Sequence, residues 1–340
     1  MHARITSVLA LALALCVSVA AGQRVEVQTG PRDAAVDTGG IVYRLAPDSV
    51  YSEGCVGIDP PCDCLVIEGD AFRGAFVLAP MPRQAIADPI RRWAVRDVNW
   101  LATINGEERE IFGGGVLEIG SPGPTPVVQI RMRLHLSIDG MPPTPFDSGW
   151  APIEQFGTLV IDLLPADSGE CFGQAFHLIA RPVPVGEIIP YALRPGSVFR
   201  EGCYDPCDCL LTEVDVRGAF GLVRLSPAAA SIEGLYEEWA LVRIHWRSVE
   251  DAITDPPFIV GDGSGMYRIN LAAAAPVPPH RLTLDLRLNR GDPRPVHFDS
   301  GWVSQTVGIG SNPPVIVIEA AQNGFVCFDR VWAIDAAPTP

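Results

Sequence analysis

The sequence contains no lysine: all 25 basic residues are arginine, set against 40 acidic residues, for a net charge of −15. Together with an excess of alanine, glycine and proline, the missing lysines indicate the coding bias of a GC-rich bacterial genome. No run of basic residues occurs either, and a strongly acidic chain is repelled by nucleic-acid phosphates. We therefore expect no nucleic-acid partner.

Common catalytic signatures are also missing. The sequence contains no Gly-x-Ser-x-Gly, no His-Glu-x-x-His and no dinucleotide-binding fingerprint. No segment has the about 20 uninterrupted apolar residues of a membrane-spanning helix, so we expect no integral membrane segment in the mature chain. With 340 residues, 48% of them hydrophobic, the chain is too apolar to be disordered and long enough for about two domains.

The N-terminus has the pattern of a secretory signal peptide. Arg4 precedes an apolar stretch at residues 8–17, and small residues follow up to Gly22. We expect residues 1–22 to be removed on export, which places the mature chain in the periplasm or outside the cell. Residues 23–40 lack periodicity and are predicted to be a flexible leader.

The sequence is internally duplicated, which decides its domain organisation. Six landmarks recur in the same order: residues 43–55 and 191–203, 62–65 and 207–210, 73–76 and 217–220, 93–100 and 239–246, 146–150 and 298–302, and 171–172 and 327–328. We predict two homologous domains in tandem, at 41–181 and 191–337, joined by a proline-rich linker at 182–190.

Both repeats have the periodicity of strands. Apolar residues alternate with polar ones over 130–138 and again over 282–288, and no long window has helical spacing. Short strands bounded by Gly, Pro, Asn and Asp are typical of all-β domains. We predict two tandem antiparallel domains of the β-sandwich or barrel-like kind, and the pattern leaves that choice open.

The cysteines predict disulfides in both repeats. Apart from Cys16 in the expected signal peptide, the chain has eight, four per repeat: Cys55, Cys62, Cys64 and Cys171, and Cys203, Cys207, Cys209 and Cys327. An even, duplicated set in an exported protein favours disulfides over a four-cysteine zinc site, whose paired C-x-x-C spacing is missing.

Spacing restricts how these cysteines pair. Two-residue separation makes a bond between Cys62 and Cys64 strained. We favour a local bond and a long-range bond in each repeat: Cys55–Cys62 with Cys64–Cys171, and Cys203–Cys207 with Cys209–Cys327. Because no histidine recurs in both repeats, we expect no metal and no other cofactor.

Phe-Asp-Ser-Gly, at 146–149 and 298–301, resembles the motif of pepsin-like aspartic proteases. The resemblance implies that Asp147 and Asp299 act as a pair of catalytic carboxylates. However, only 41 residues follow Asp299, too few to complete a protease lobe. Asp-Ser-Gly is also ordinary turn chemistry, which is the interpretation we favour.

The tryptophans offer a candidate binding surface. Trp93 and Trp100 are seven residues apart, as are Trp239 and Trp246. On an unbroken strand the two members of each pair point to opposite faces, which predicts Trp100 and Trp246 in the core. Trp93 and Trp239 are then the more exposed and could stack on a sugar ring or a partner protein. The alternative is that a loop or the sister domain covers them.

Two other motifs have structural interpretations. Arg73 and its counterpart Arg217 are expected to form ion pairs at a strand end, with Glu53 and Glu201 or with Asp63 and Asp208 as partners. Gly-Asp-Gly-Ser-Gly at 261–265 resembles an ion-binding or phosphate-binding loop. No helix follows it to present amides, so we expect a hairpin turn.

Taken together, Glu-Gly-Cys, Cys-x-Cys, Arg-Gly-x-Phe and Phe-Asp-Ser-Gly resemble uncharacterised exported bacterial proteins that carry one or more copies of such a module. The resemblance implies export but no established activity. We predict an exported, non-catalytic binding or structural module for a glycan or an envelope protein. The alternative is a secreted hydrolase that uses Asp147 and Asp299.

Overall fold

Almost all of the described chain is β-strand, as the alternation predicts. The computed structural model describes residues 40–55, 65–82, 89–123, 127–153, 157–166, 173–225, 236–249, 260–273, 277–289, 294–304 and 314–339. The expected signal peptide lies outside them. A short 3-10 helix, Val185–Glu187, lies within the expected linker, and no helix of the described part is long and apolar enough to cross a membrane.

The strands fall into two sheets, one for each repeat. The first sheet contains β1 (Ile41–Leu45), β2 (Val50–Gly54), β3 (Val66–Glu68), β4 (Ala71–Pro80), β5 (Arg91–Ile104), β6 (Glu107–Gly120), β7 (Gln129–Ile138), β8 (Thr144–Asp147), β9 (Ala151–Pro152), β10 (Leu159–Pro165) and β11 (Gly173–Pro182). The second contains β12 (Ile188–Leu193), β13 (Val198–Cys203), β14 (Thr212–Arg224), β15 (Tyr236–Ser248), β16 (Val260–Asn270), β17 (Pro279–Leu288), β18 (Val296–Asp299), β19 (Val303–Ser304), β20 (Ile316–Ala321) and β21 (Phe328–Pro338).

Each sheet closes on itself into an antiparallel barrel. The first ring runs β1-β4-β5-β6-β7-β8-β10-β11 and the second runs β12-β14-β15-β16-β17-β18-β20-β21. In each ring the last strand pairs with the first. Tyr43 of β1 pairs with Pro182 of β11, and Tyr191 of β12 pairs with Pro338 of β21. Closure satisfies the hydrogen bonds that an open sheet edge would leave unpaired. Of the two architectures left open by the sequence, the structure is therefore the barrel.

Side chains fill the interior of each barrel. In β7, Met132, Leu134 and Leu136 are buried while the residues between them point outward, which is the period of two expected of a strand. Trp100 packs on Phe176 at 5.7 Å between ring centroids in the first barrel. Trp246 and Trp332 pack at 5.2 Å in the second. Trp100 and Trp246 thus lie in the core, as predicted.

The two barrels share a third apolar cluster on their outer faces. It combines residues of both repeats: Val42, Ala75, Val77, Leu101 and Val183 with Val223, Leu225, Ala240, Val242 and Met266. Burying apolar area at about 25 cal/mol per Å² favours their contact. The barrels therefore pack against each other through β4 and β5 on one side and β14, β15 and β16 on the other.

The predicted orientation of Trp93 and Trp239 is wrong because β5 and β15 are not unbroken. A β-bulge shifts the register of each strand, at Asp97 (φ 54°) and at Arg243 (φ 57°). One extra residue reverses the alternation, so both tryptophans of a strand face the barrel interior. Trp239 is only 5% exposed, and Trp93 is half-buried against the first core.

The predicted disulfide pairing of the second repeat is also wrong. The bonds are Cys203–Cys209 and Cys207–Cys327. The chain reverses direction after β13, where the Cys207 N–H donates to the Tyr204 carbonyl. This turn brings Cys209 back beside Cys203 and leaves Cys207 at the apex. The Tyr204 N–H donates to the Cys327 carbonyl, which places Cys327 at that apex.

In the first repeat, Cys55 is disulfide-bonded. Its three predicted companions, Cys62, Cys64 and Cys171, lie outside the described residues. Both repeats therefore contain oxidised cysteine, as the even and duplicated set predicts.

Candidate ligand-binding cleft

A cleft of about 1350 Å³ lies where the two barrels meet. We call it the interbarrel cleft. Both repeats line it: residues 94–97, 112–115 and 140–143 with His135 and Ser137 from the first, and residues 243–245, 262–264 and 294–297 with Asp285, Arg287, Gln322, Asn323 and Arg330 from the second. Neither barrel could form it alone.

The two bulges meet inside this cleft. Asp97 and Arg243 occupy equivalent positions of the repeats, and the Arg243 N–H donates to Asp97 Oδ2 at 2.7 Å. Nearby, Asn99 Nδ2 donates to the Leu241 carbonyl at 3.1 Å. The barrels thus cross at matching points of β5 and β15. Sequence alternation gave no signal of this meeting, because a bulge is not visible in the hydrophobic pattern.

Asp97 has an unusual protonation equilibrium for a carboxyl. Burial raises its pKa to about 6, against the attraction of the Arg243 N–H and the guanidinium of Arg96, which lower it. Burial removes water from the ionised carboxylate and so destabilises it relative to the neutral acid, which favours protonation. Because its pKa is raised to about 6, Asp97 is an acid of the cleft that gains its charge near pH 6 and not near pH 4.

Glycine-rich strands leave room beside the bulges. Residues 113–115 lie in β6 and residues 261–265 in β16, so the second segment is not the hairpin turn that we expected. A Cβ at Gly263 would lie 2.1 Å from the Asp285 carbonyl oxygen, so only glycine fits there. The two neighbouring strands can approach closely at this point, and side-chain bulk is absent from the cleft wall.

Three of the six histidines line the cleft, although none recurs in both repeats. His245 Nδ1 contacts Asp262 Oδ1 across β15 and β16. His297 Nδ1 lies 3.8 Å from Asp285 Oδ1 and its ring packs on Phe112 of the other repeat at 5.7 Å. Burial lowers the pKa of His297, but Asp285 outweighs it and the pKa is raised. Self-comparison of the sequence missed this cluster because the two repeats contribute different residues.

The charges of the cleft differ in sign from those of the whole chain. Its described lining contains five arginines and three aspartates, a net charge of +2 with the histidines neutral. The entire chain carries −15. Arg96 and Arg287 are exposed and form no ion pair with any described residue. The cleft is thus a locally cationic site on an acidic protein.

The cleft residues form no nucleophile and base pair. Ser264, Asp285 and His297 follow one another across β16, β17 and β18, with the acid in the middle. Strands lie about 4.8 Å apart, so two strand spacings separate the hydroxyl from the imidazole. Among the described residues no group of three or more His, Cys, Asp or Glu side chains could hold a metal ion. The arrangement offers charges and hydrogen bonds.

Asp147 and Asp299 lie outside the described lining of the cleft, in two equivalent turns. Arg131 Nε donates to Asp147 at 2.9 Å, and the Gly149 N–H donates to the same carboxylate at 2.8 Å. Arg281 and the Gly301 N–H do the same for Asp299, at 3.0 and 2.8 Å. These contacts are those of the turn interpretation, and they give each aspartate local partners.

Both turn aspartates have lowered pKa values. The Arg131 hydrogen bonds lower the pKa of Asp147. Burial would raise the pKa of Asp299, but the hydrogen bonds from Arg281 outweigh it. A pair of carboxylates that shares one proton needs one raised pKa, so these geometries give the hydrolase alternative no support.

Trp93 lies beside a second, smaller cavity of about 190 Å³, together with Met81, Ile90 and Arg92. Its counterpart Trp239 is buried, so the structure does not present the two tryptophans as a duplicated platform. The ligand-binding role predicted for them stays a prediction.

Beside the cleft, a buried ionic cluster joins the barrels. Arg73 Nη2 donates to Glu238 Oε1 at 2.6 Å, and Arg268 Nη1 donates to Glu108 Oε2 at 2.8 Å. Arg268 also lies 3.3 Å from Glu238, and its guanidinium lies over the ring of Trp302. Arg73 does form structural ion pairs, but with Glu238 of the other repeat and Glu108 of its own, not with the expected Glu53 or Asp63, of which Asp63 lies outside the described residues.

No protein-family model, no curated protein and no solved structure matches this chain.

Proposed function

We propose that this protein is an exported, non-catalytic binding protein whose ligand occupies the interbarrel cleft. The observation that carries the proposal is the cleft itself: about 1350 Å³, built by both repeats and lined by hydrogen-bonding and charged groups. A concave site with a few convergent polar groups is the usual form of a ligand site. The lack of a nucleophile and base pair among its described residues favours binding over catalysis.

Export is the second part of the proposal. Cys203–Cys209 and Cys207–Cys327 are compatible with an oxidising compartment, where disulfides persist. The signal-peptide pattern of residues 1–22 supports the same location. A glycan or an envelope protein, both abundant there, is the class of partner we propose.

The joined barrels suit a binding role. The buried ionic cluster and the shared apolar cluster fix the two walls of the cleft relative to each other. A site that is already formed loses less conformational entropy when it binds its ligand. Duplication thus supplies both walls and the contacts that hold them together.

The test uses a variant that fills the cleft. His135 is exposed in the lining and its side chain forms no hydrogen bond with a described residue, so His135→Trp adds bulk without removing a side-chain hydrogen bond. His177→Trp is the control: His177 is a strand histidine outside the lining, 40% exposed at the side chain, and its contact with the exposed Asp162 lies away from the cleft. Both are compared with the wild-type mature chain on an array of extracellular polysaccharides and in pull-downs from envelope fractions.

We expect the wild type to retain at least one component, the His177→Trp variant to match it, and the His135→Trp variant to bind about tenfold more weakly. Equal binding by all three proteins, or no binding by any of them, would contradict the proposal. Circular dichroism and thermal unfolding of the variants separate a filled cleft from a misfolded chain.

A further inference from the structure

We infer that the ligand of the interbarrel cleft is an acidic oligosaccharide, that is, a chain of sugars bearing carboxylates. This inference rests on the proposed function and adds the chemical class of the ligand. Three features of the cleft carry it: arginines on both walls that form no ion pair with a described residue, hydrogen-bond acceptors in the same lining, and a volume of about 1350 Å³.

The arginines provide the charge selection. Arg96 comes from β5 of the first barrel and Arg287 from β17 of the second, and neither forms an ion pair with a described residue. Arg287 lies opposite Asp262 in the ladder, but Asp262 contacts His245 instead. A planar guanidinium matches a carboxylate in two parallel hydrogen bonds. An anionic group bound at each wall would give both guanidinium groups an ionic partner.

The arginines of the cleft differ from others in the chain in their ion pairing. The whole chain carries −15, and described arginines outside the cleft such as Arg133 and Arg200 pair with acids. Arg96 and Arg287 instead lie without an ion pair to a described residue, in a cleft whose described lining is net cationic. Clefts lined by one sign of charge concentrate ligands of the opposite sign.

The aspartates of the cleft select against bare polyanions. Asp262 and Asp285 can only accept hydrogen bonds when ionised, and their histidine partners occupy one side of each carboxylate. A polyphosphate brings acceptors alone and would leave these two carboxylates without a donor from the ligand. Sugar hydroxyls donate as well as accept, so a carboxylated sugar satisfies both the arginines and the acids. Ser137, Gln322 and Asn323 add further groups that can bond hydroxyls.

The size of the cleft indicates an oligomer. Sites for drug-sized molecules are about 300–1000 Å³. The interbarrel cleft, at about 1350 Å³, exceeds that range and is lined from both barrels. Arg96 and Arg287 come from different barrels, so we expect a ligand of several linked units to engage both.

The test measures binding of hexagalacturonate by isothermal titration calorimetry. Neutral hexagalactose, tripolyphosphate and a single-stranded oligonucleotide are titrated alongside it. The variant is the double change Arg96→Glu and Arg287→Glu in the mature chain. Arg181→Glu is the matched control, because Arg181 is exposed on β11, lies outside the cleft and forms no ion pair with a described residue.

We expect hexagalacturonate to bind the wild type and the Arg181→Glu control equally, and the double variant at least about tenfold more weakly. Its affinity should fall when NaCl is raised from about 20 to about 200 mM. The neutral sugar, the polyphosphate and the oligonucleotide should bind much more weakly.

The outcomes distinguish this inference from the proposed function. If hexagalactose binds as well as the acidic sugar, and the His135→Trp variant binds neither, the cleft is a binding site but the acidic class is wrong. Stronger binding of tripolyphosphate or of the oligonucleotide also overturns the class. If no carbohydrate binds and the His135→Trp variant behaves like the wild type in every assay, the proposed function itself fails.

Discussion

The same cross-strand ion pair occurs in both repeats with its charges exchanged. In the first repeat Arg92 lies opposite Glu118, at 3.0 Å, and Arg133 also contacts Glu118. In the second repeat Glu238 holds the arginine position and lies opposite Arg268. In the first pair Glu118 is buried but Arg92 is 23% exposed at the side chain, whereas both members of the second pair are buried.

The exchange shows where the copies diverged. In the second repeat, Glu238 and Arg268 are each only 1% exposed at the side chain and reach Arg73 and Glu108 of the first repeat. Reversing the pair in one copy gave each charge a partner in the other. Duplication preserved the register, and the new contacts between copies arose by changing charge at fixed positions.

The largest expected effect comes from removing Glu238. Glu238→Ala leaves Arg73 and Arg268 buried with one acid, Glu108, between them, and we expect a loss of about 3–5 kcal/mol in the free energy of unfolding. Urea unfolding of the mature chain measures it. Glu118→Ala removes the equivalent acid of the first pair and should cost about 1 kcal/mol, since its arginines reach solvent.

Glu238→Gln provides the control for shape, because it keeps the volume and the hydrogen-bond acceptor while removing the charge. The free energy of unfolding of this variant should lie between those of the wild type and Glu238→Ala. Equal losses for Glu238→Ala and Glu118→Ala would show that the buried pair has no special role at the interface.

Exchanging the two charges within each pair tests whether their order along the ladder, and not only their presence, determines the free energy of unfolding. Glu238→Arg with Arg268→Glu restores the first repeat's order in the second, and places arginine next to Arg73. We expect a loss of about 2–3 kcal/mol. The reverse exchange, Arg92→Glu with Glu118→Arg, should cost less than about 1 kcal/mol. Thermal unfolding of both double variants compares them, and the opposite ranking would contradict the charge argument.

The bulges give a third comparison, between Asp97 and its counterpart Arg243. The folded pKa of Asp97, about 6, exceeds its ordinary value of 3.8, so its ionisation opposes folding. Asp97→Asn should therefore stabilise the chain by about 1–2 kcal/mol above pH 6. Its advantage should shrink as the pH falls from 6 to 4 and vanish below, where Asp97 is protonated in both states. Asparagine also tolerates the positive φ at this position.

Unfolding at a series of pH values measures this effect. Asp262→Asn is the matched control, an exposed acid of the same cleft, and should stay within about 0.5 kcal/mol of the wild type. A stabilisation by Asp97→Asn that persists unchanged at pH 3 would contradict the assigned cause.

The smallest expected effect lies where the copies have not diverged. Asp147→Asn and Asp299→Asn each weaken the same arginine and turn contacts, and should each cost about 1 kcal/mol near neutral pH. Because both folded pKa values are lowered, the wild type loses this stability as the pH falls through them. The deficit of each variant should therefore disappear in acid. A peptidase activity that both substitutions abolish would favour the hydrolase alternative instead.

The two repeats, the all-β class and the aromatic core could be predicted from the sequence. The repeats are visible on self-comparison, and the strands and the core follow from local alternation of apolar and polar residues. Met132, Leu134 and Leu136 alternate in the sequence and in the barrel alike. The orientation of Trp239 could not be predicted, since the bulge at Arg243 leaves no mark in the apolar pattern. The partners of Arg73 were equally inaccessible, because they depend on how one barrel packs against the other.

The Cys207–Cys327 bond has a consequence for a chain that is cut by a protease. It spans 120 residues of the second repeat. A single cleavage anywhere within that span leaves two polypeptides that remain covalently attached. Nicked molecules would migrate intact on a non-reducing gel and separate only after reduction, so the domain tolerates a cut that would release half of an unlinked chain.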